Sequence, residues 1–304
     1  TAVGFEAARN STTSSNNTAV GFCSLRANTT GANNIAIGCG ALLANTTANG
    51  NVAVGTLSLN STTTGGGNTA IGCLAMEENT EGGDNVAIGK NALQENTTAG
   101  SNTAVGRCAL ALNTTGASNT AVGLSALKAN TTGNYNTVVG LCALYTNTDT
   151  SNNTAIGFKA LYTNDASENT GVGDYVLYSN TTGTLNTAVG ASALYANTTA
   201  CYNSAFGYRT LDANTTGAGN TGVGYGSLGA NTTGHSNVAV GKDSLSANVT
   251  YTCNTAVGFE ALEANTSASV GTAVGYRALA ANTTGGSNTA VGNESMVANT
   301  VGYS

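Results

Sequence analysis

One glycine returns every 17 residues from Gly4 to Gly157, once after 16 residues at Gly173, and then every 17 again to Gly292. Around it the chain repeats one unit eighteen times, N-T-A-V-G-x-x-A-L-x-A-N-T-T-G-x-x. A unit this short cannot bury a hydrophobic face by itself. Sustained along a chain, such a period is the signature of a solenoid, in which each turn is covered only by its neighbours.

Strand and turn, rather than helix, fit the unit. Glycine, asparagine and threonine fill most of it, all poor helix formers, and no window keeps a 3.6-residue hydrophobic period over three turns. The chain has no proline, as suits a backbone whose amides are committed to ladders. Only 8% of residues are charged, yet Val, Ile and Leu fall in fixed columns, so this is not a disordered polar tract. Number the opening Asn of the unit 1 and the glycine 5. Positions 2 and 4 share one face of a strand, and the Val or Ile of position 4 predicts that this face points inward, with the Ala of position 3 outward. Leu at position 9 marks a return to the interior and a second short strand. The one-residue deletion falls at Asn164-Asp165-Ala166-Ser167-Glu168, which places a turn there. The expected fold is all-β: a flattened parallel β-solenoid with two short strands per rung, one domain over residues 1–304. The chain begins and ends in mid-repeat, so it reads as the interior of a longer fibre with uncapped end rungs.

Asparagine holds position 1 in all but one copy after the first, Gly271 being the exception, and position 12 in all but two. Two readings compete. Stacked carboxamides can hydrogen-bond from rung to rung as a ladder. Alternatively N-T-T is a glycosylation acceptor of the N-x-T type, present at Asn28, Asn45, Asn96, Asn113, Asn130, Asn180, Asn197, Asn214, Asn231 and Asn282. Asn79, Asn147, Asn164 and Asn299 keep the asparagine without the sequon, which favours the ladder.

Catalytic chemistry finds no residues to work with. His235 is the only histidine and sits in a variable turn, so no catalytic triad or histidine metal site can be assembled. Gly89-Lys90 and Gly241-Lys242 lack the glycine-rich loop of a phosphate site. No catalytic residue, cofactor or metal is expected. Of seven cysteines, only Cys23 and Cys39 fall at neighbouring positions of adjacent rungs, so mostly free thiols are expected. A formal net charge of −6 with no basic patch argues against nucleic acid, and no apolar run is long enough to span a membrane as a helix.

Aromatic columns are the more suggestive surface. Tyr145, Tyr162, Tyr178 and Tyr195 occupy position 10 on four successive rungs, and Tyr208, Tyr225, Phe259 and Tyr276 share position 6. Such stripes stack across rungs, and they also suit contact with sugars or another subunit.

The segments N-T-A-V-G and N-V-A-I-G, as in Asn85-Val86-Ala87-Ile88-Gly89, resemble the head repeats of trimeric autotransporter adhesins. The full unit, as in Asn119 to Tyr135, is similar to repeats of tail-fibre-like proteins of phages, bacteria and large viruses. The resemblance covers all eighteen copies. It implies a parallel β-roll, left-handed in the adhesin heads, and assembly with copies of itself as a trimer. The expected role is therefore structural: an extracellular, cell-surface or virion fibre that associates with itself end to end or as a trimer and contacts cell-surface glycans along the aromatic columns. The alternative from another class is an ice-binding solenoid using the Thr columns at positions 13 and 14.

Overall fold

The computed structural model describes residues 1–302; Tyr303 and Ser304, the last two residues of the expected domain, lie outside the described residues. It is all-β. Each copy of the repeat contributes one strand, from β1 (Ala2–Val3) and β2 (Thr18–Val20) to β18 (Thr289–Val291). Strands of successive copies pair in parallel and in register, as in Thr103↔Thr120, Ala104↔Ala121 and Val105↔Val122. The chain divides into two compact units, residues 1–153 with β1 to β9 (Thr137–Val139), and residues 154–304 with β10 (Thr154–Ile156) to β18. Each unit is a parallel β-solenoid with one turn per repeat.

Two expectations about the rung are overturned. The first concerns which face points inward. Ala at position 3 is fully buried in copy after copy, for example Ala36, Ala104, Ala188 and Ala256, while positions 2 and 4 on either side are half-buried or exposed. The reason is the thinness of the rung. A Cβ built on Gly171, at position 3, would lie 2.6 Å from Leu161 Cδ1 and 3.0 Å from Val176 Cγ1. Facing a Leu from the opposite wall, position 3 is kept small, Ala or Gly in every copy but one, and the exception, Val138, is also fully buried. The larger Val and Ile therefore turn outward, against the usual preference.

The second concerns the second strand, which does not form. Where it was expected, positions 7 and 9 adopt left-handed backbone conformations in nearly every copy, as at Cys108 (φ 55°) and Leu110 (φ 52°). The chain folds there into a succession of tight turns instead of an extended segment. It is still hydrogen-bonded between copies. The amides of Gly106 and Cys108 donate to carbonyls of the preceding copy, at 2.8 and 3.0 Å, and those of Leu110, Leu112 and Thr114 to the following one, at 2.9–3.1 Å. Most backbone donors are thus used, and this is the physical reason a proline would be costly at most positions.

The glycine at position 5 is required twice over. Gly123 has φ +136°, outside the range of ordinary L-residues, and a Cβ there would sit 2.5 Å from the carbonyl oxygen of Gly140 in the next copy. Leu at position 9 fills the interior, fully buried at Leu42, Leu93, Leu127, Leu177 and Leu194. Full burial of one such side chain contributes about 1.5–3 kcal/mol. No single rung could stand on this, so the polar columns must carry part of the load.

Candidate functional site

Those polar columns are buried asparagines. At position 12, the Nδ2 of Asn113 donates to the Gly116 carbonyl of its own turn at 2.9 Å and to Asn96 Oδ1 of the preceding copy at 2.9 Å. At position 1, Asn102 Nδ2 donates to that same Gly116 carbonyl at 2.9 Å, while its Oδ1 accepts the backbone amide of Asn119 at 2.9 Å. The two columns converge on one carbonyl per turn. The ladder survives the deletion: Asn164 Nδ2 reaches the Ala166 carbonyl at 2.7 Å, and its Oδ1 accepts from Asn180 Nδ2 at 2.5 Å.

All ten sequon asparagines, Asn28, Asn45, Asn96, Asn113, Asn130, Asn180, Asn197, Asn214, Asn231 and Asn282, lie in this column and are buried. The Nδ2 of each donates to the position-15 carbonyl of its turn. The folded turn leaves no space for a sugar on that nitrogen.

The threonines separate into two kinds. At position 13 the hydroxyl is tied to the next copy, as Thr114 Oγ1 donates to the Thr131 carbonyl at 3.0 Å. At position 2 the outward hydroxyls of Thr154, Thr170, Thr187, Ser204 and Thr221 have no partner within the chain, and beside them run Ile156, Val172, Val189, Phe206 and Val223 of position 4.

The aromatic columns are stacked. Tyr162, Tyr178 and Tyr195 form a near-parallel pile, with ring centroids 5.3 Å apart at both steps and interplanar angles of 8° and 5°. Tyr145 lies in the first unit, where Lys128 Nζ sits 5.5 Å from its ring centroid. At position 6, Tyr208 stacks on Tyr225 (5.6 Å), Lys242 is held between Tyr225 and Phe259 (5.7 and 5.4 Å), and Phe259 stacks on Tyr276 (5.5 Å). Interior rings of such piles have both faces covered. Only the end rings offer a face to a ligand.

Two of those ends meet. Tyr195 ends the first pile, because position 10 of the next copy is Asp212, and Tyr208 begins the second, because position 6 of the copy before it is Ala191. Between them is an open notch of about 260 Å³ lined by Ser192, Tyr195, Tyr208, Arg209 and Asp212. Arg209 Nε donates to Asp212 Oδ2 at 2.6 Å. This hydrogen bond and the charge of Asp212 raise the Arg209 pKa further above its ordinary value, so the guanidinium stays charged. A second notch of about 260 Å³ lies on the other side of the same pair, opened by Gly226 and Gly229. Position-by-position reading listed the tyrosines but not this junction. Its signal was the one-copy offset between the end of one tyrosine run and the start of the other.

The remaining sequence candidates stay apart. His235 is exposed, with Nδ1 3.4 Å from Ser236 Oγ. All seven cysteines are free. The one pairing that the sequence allowed does not form: Cys23 is buried with Sγ 3.9 Å from Glu6 Oε2, whereas Cys39 points to solvent. Among the described residues no three His, Cys, Asp or Glu side chains gather to hold a metal, and no helix is long and apolar enough to cross a membrane. No protein-family model, curated protein or solved structure matches the chain.

Proposed function

We propose that this chain is a structural element of an extracellular, cell-surface or virion fibre, and that it assembles with copies of itself through the outer face of its strands. One observation carries the reading. Position 4 presents a column of exposed apolar side chains: Ile37, Ile71, Ile88 and Val139 in the first unit, Ile156, Val189, Phe206 and Val223 in the second, each 37–41% exposed. An apolar strip repeated along a regular sheet face is the kind of surface that monomers rarely leave uncovered. The likeness of N-V-A-I-G to adhesin head repeats supports the same reading. Sedimentation equilibrium of the chain tests it: a defined oligomer is expected, dissociating in the double variant Ile88→Asp, Phe206→Asp, whose sites are exposed and leave folding intact. A wild-type chain that stays monomeric at high concentration refutes it.

A second reading uses the same face. The position-2 hydroxyls of Thr154 to Thr221 are unbonded within the chain and repeat at the strand spacing of about 4.8 Å, beside a column of methyl groups. A flat lattice of hydroxyls and methyls suits ice. This reading puts position 2 in place of the position-13 threonines, whose hydroxyls are already engaged, while those of position 14, such as Thr30 and Thr47, are exposed. Thermal hysteresis from a monomeric chain, abolished by Thr170→Lys and Thr187→Lys, would select it over the fibre.

A further inference from the structure

We infer that the notch between Tyr195 and Tyr208 is a binding site for a neutral pyranose unit. The two rings are the ends of separate stacks, so each lacks a ring neighbour on the side facing the notch, whereas the interior rings Tyr178 and Tyr225 are flanked on both sides by Tyr162 and Tyr195 and by Tyr208 and Lys242. An uncovered aromatic face accepts the apolar C–H face of a sugar ring. Polar groups for the hydroxyl edge lie in the same notch. The Asp212 carboxylate accepts hydrogen bonds, and Arg209 uses Nε on Asp212 while its two Nη groups keep their donors. A pair of adjacent hydroxyls can donate to the carboxylate and accept from the guanidinium together.

The charge of the notch decides between sugar classes. Arg209 and Asp212 neutralise each other, and the carboxylate would repel an anionic sugar from the guanidinium it holds. Ser192 on the floor is small, which keeps the notch open, and the 260 Å³ it encloses fits one ring rather than a buried chain. The site thus reads one residue of a longer glycan lying along the surface. It stands on a different part of the rung from the strand face, so it is independent of the assembly proposed above.

Saturation-transfer NMR of the full chain tests the assignment with four probes: the methyl glycosides of β-galactose, β-glucose and α-mannose, and N-acetylneuraminic acid. At least one neutral glycoside is expected to receive saturation at its ring C–H protons, more strongly than the acidic sugar. Tyr195→Ala, Tyr208→Ala and Asp212→Ala should each weaken its binding by about ten-fold or more, with Tyr276→Ala unchanged. Tyr195, Tyr208 and Tyr276 are exposed and Asp212 is half-buried, and circular dichroism checks that each variant is folded. Absence of transfer to all three neutral glycosides overturns the proposal. So does a preference for the acidic sugar, or binding that survives the three notch substitutions.

Discussion

At the scale of the residue, the asparagine ladder leaves two buried oxygens unpartnered among the described residues, Asn45 Oδ1 and Asn265 Oδ1, and the first has a cause in the sequence. Thr62 replaces Asn at position 12, and the consequence appears one copy earlier: Asn45 Oδ1 is buried without a hydrogen-bond partner. Thr62 still accepts from Asn79 Nδ2 at 3.3 Å, so the break is on one side only. Thr62→Asn is expected to return the missing donor and raise stability by about 1 kcal/mol, read as a higher thermal midpoint. Glu263 gives a pH-dependent counterpart. Its pKa is raised, first by desolvation and then by Glu260 and Asp243. The folded chain therefore holds this proton more tightly than the unfolded chain. Its contribution to stability is present at low pH and is lost as pH rises from the ordinary carboxylate value through the raised one. In Glu263→Gln that part of the decline should vanish, leaving the variant relatively more stable at neutral pH; thermal midpoints measured from pH 4 to pH 7 check this.

At the scale of the rung, the left-handed turns explain a pattern that hydrophobicity does not. Position 9 is Leu or Met in all but the first copy and never Val, Ile or Thr. A buried position in a β-protein would ordinarily welcome a β-branched residue. Here the backbone opposes it: Leu127 has φ 51°, a region that strains β-branched side chains and that Val270, with φ 63°, is alone among them in entering within the described residues. Leu127→Ile, which conserves volume, should then cost more than about 2 kcal/mol, while Leu127→Met should cost less than about 1.5 kcal/mol. Equal costs in urea unfolding would show that packing, and not backbone conformation, selects leucine.

At the scale of the whole molecule, a chain built from in-register copies should tolerate the loss of a complete copy but not part of one. Deleting residues 103–119 joins Asn102 to Thr120 and preserves every column, so the product should fold and unfold cooperatively with a slightly lower midpoint. Deleting 103–110 brings a strand residue opposite a turn, and loss of the β circular dichroism signal is expected. The natural one-residue deletion at Asn164 to Glu168 is an exception that shows the reason for the rule, since it shortens a turn and leaves Thr154↔Thr170 paired.

The sequence alone determined the repeat, the all-β parallel solenoid, the need for glycine at position 5 and the two asparagine columns. Each follows from identity at a fixed spacing, because stacked copies put like residues in contact. The aromatic stacks were legible for the same reason. What only the tertiary structure decided is which way side chains point and which surfaces remain free. Period-two alternation says that positions 2 and 4 share a face, but it cannot say which face is inside. That was settled by the short distance across the rung to Leu161 and its equivalents, which favours Ala at position 3, with Val138 the one larger residue buried there, and leaves the Val and Ile of position 4 on the outer face. The notch beside Arg209 and Asp212 was likewise beyond a column-by-column reading. It exists because two columns end one copy apart, and only folding brings those ends to the same place.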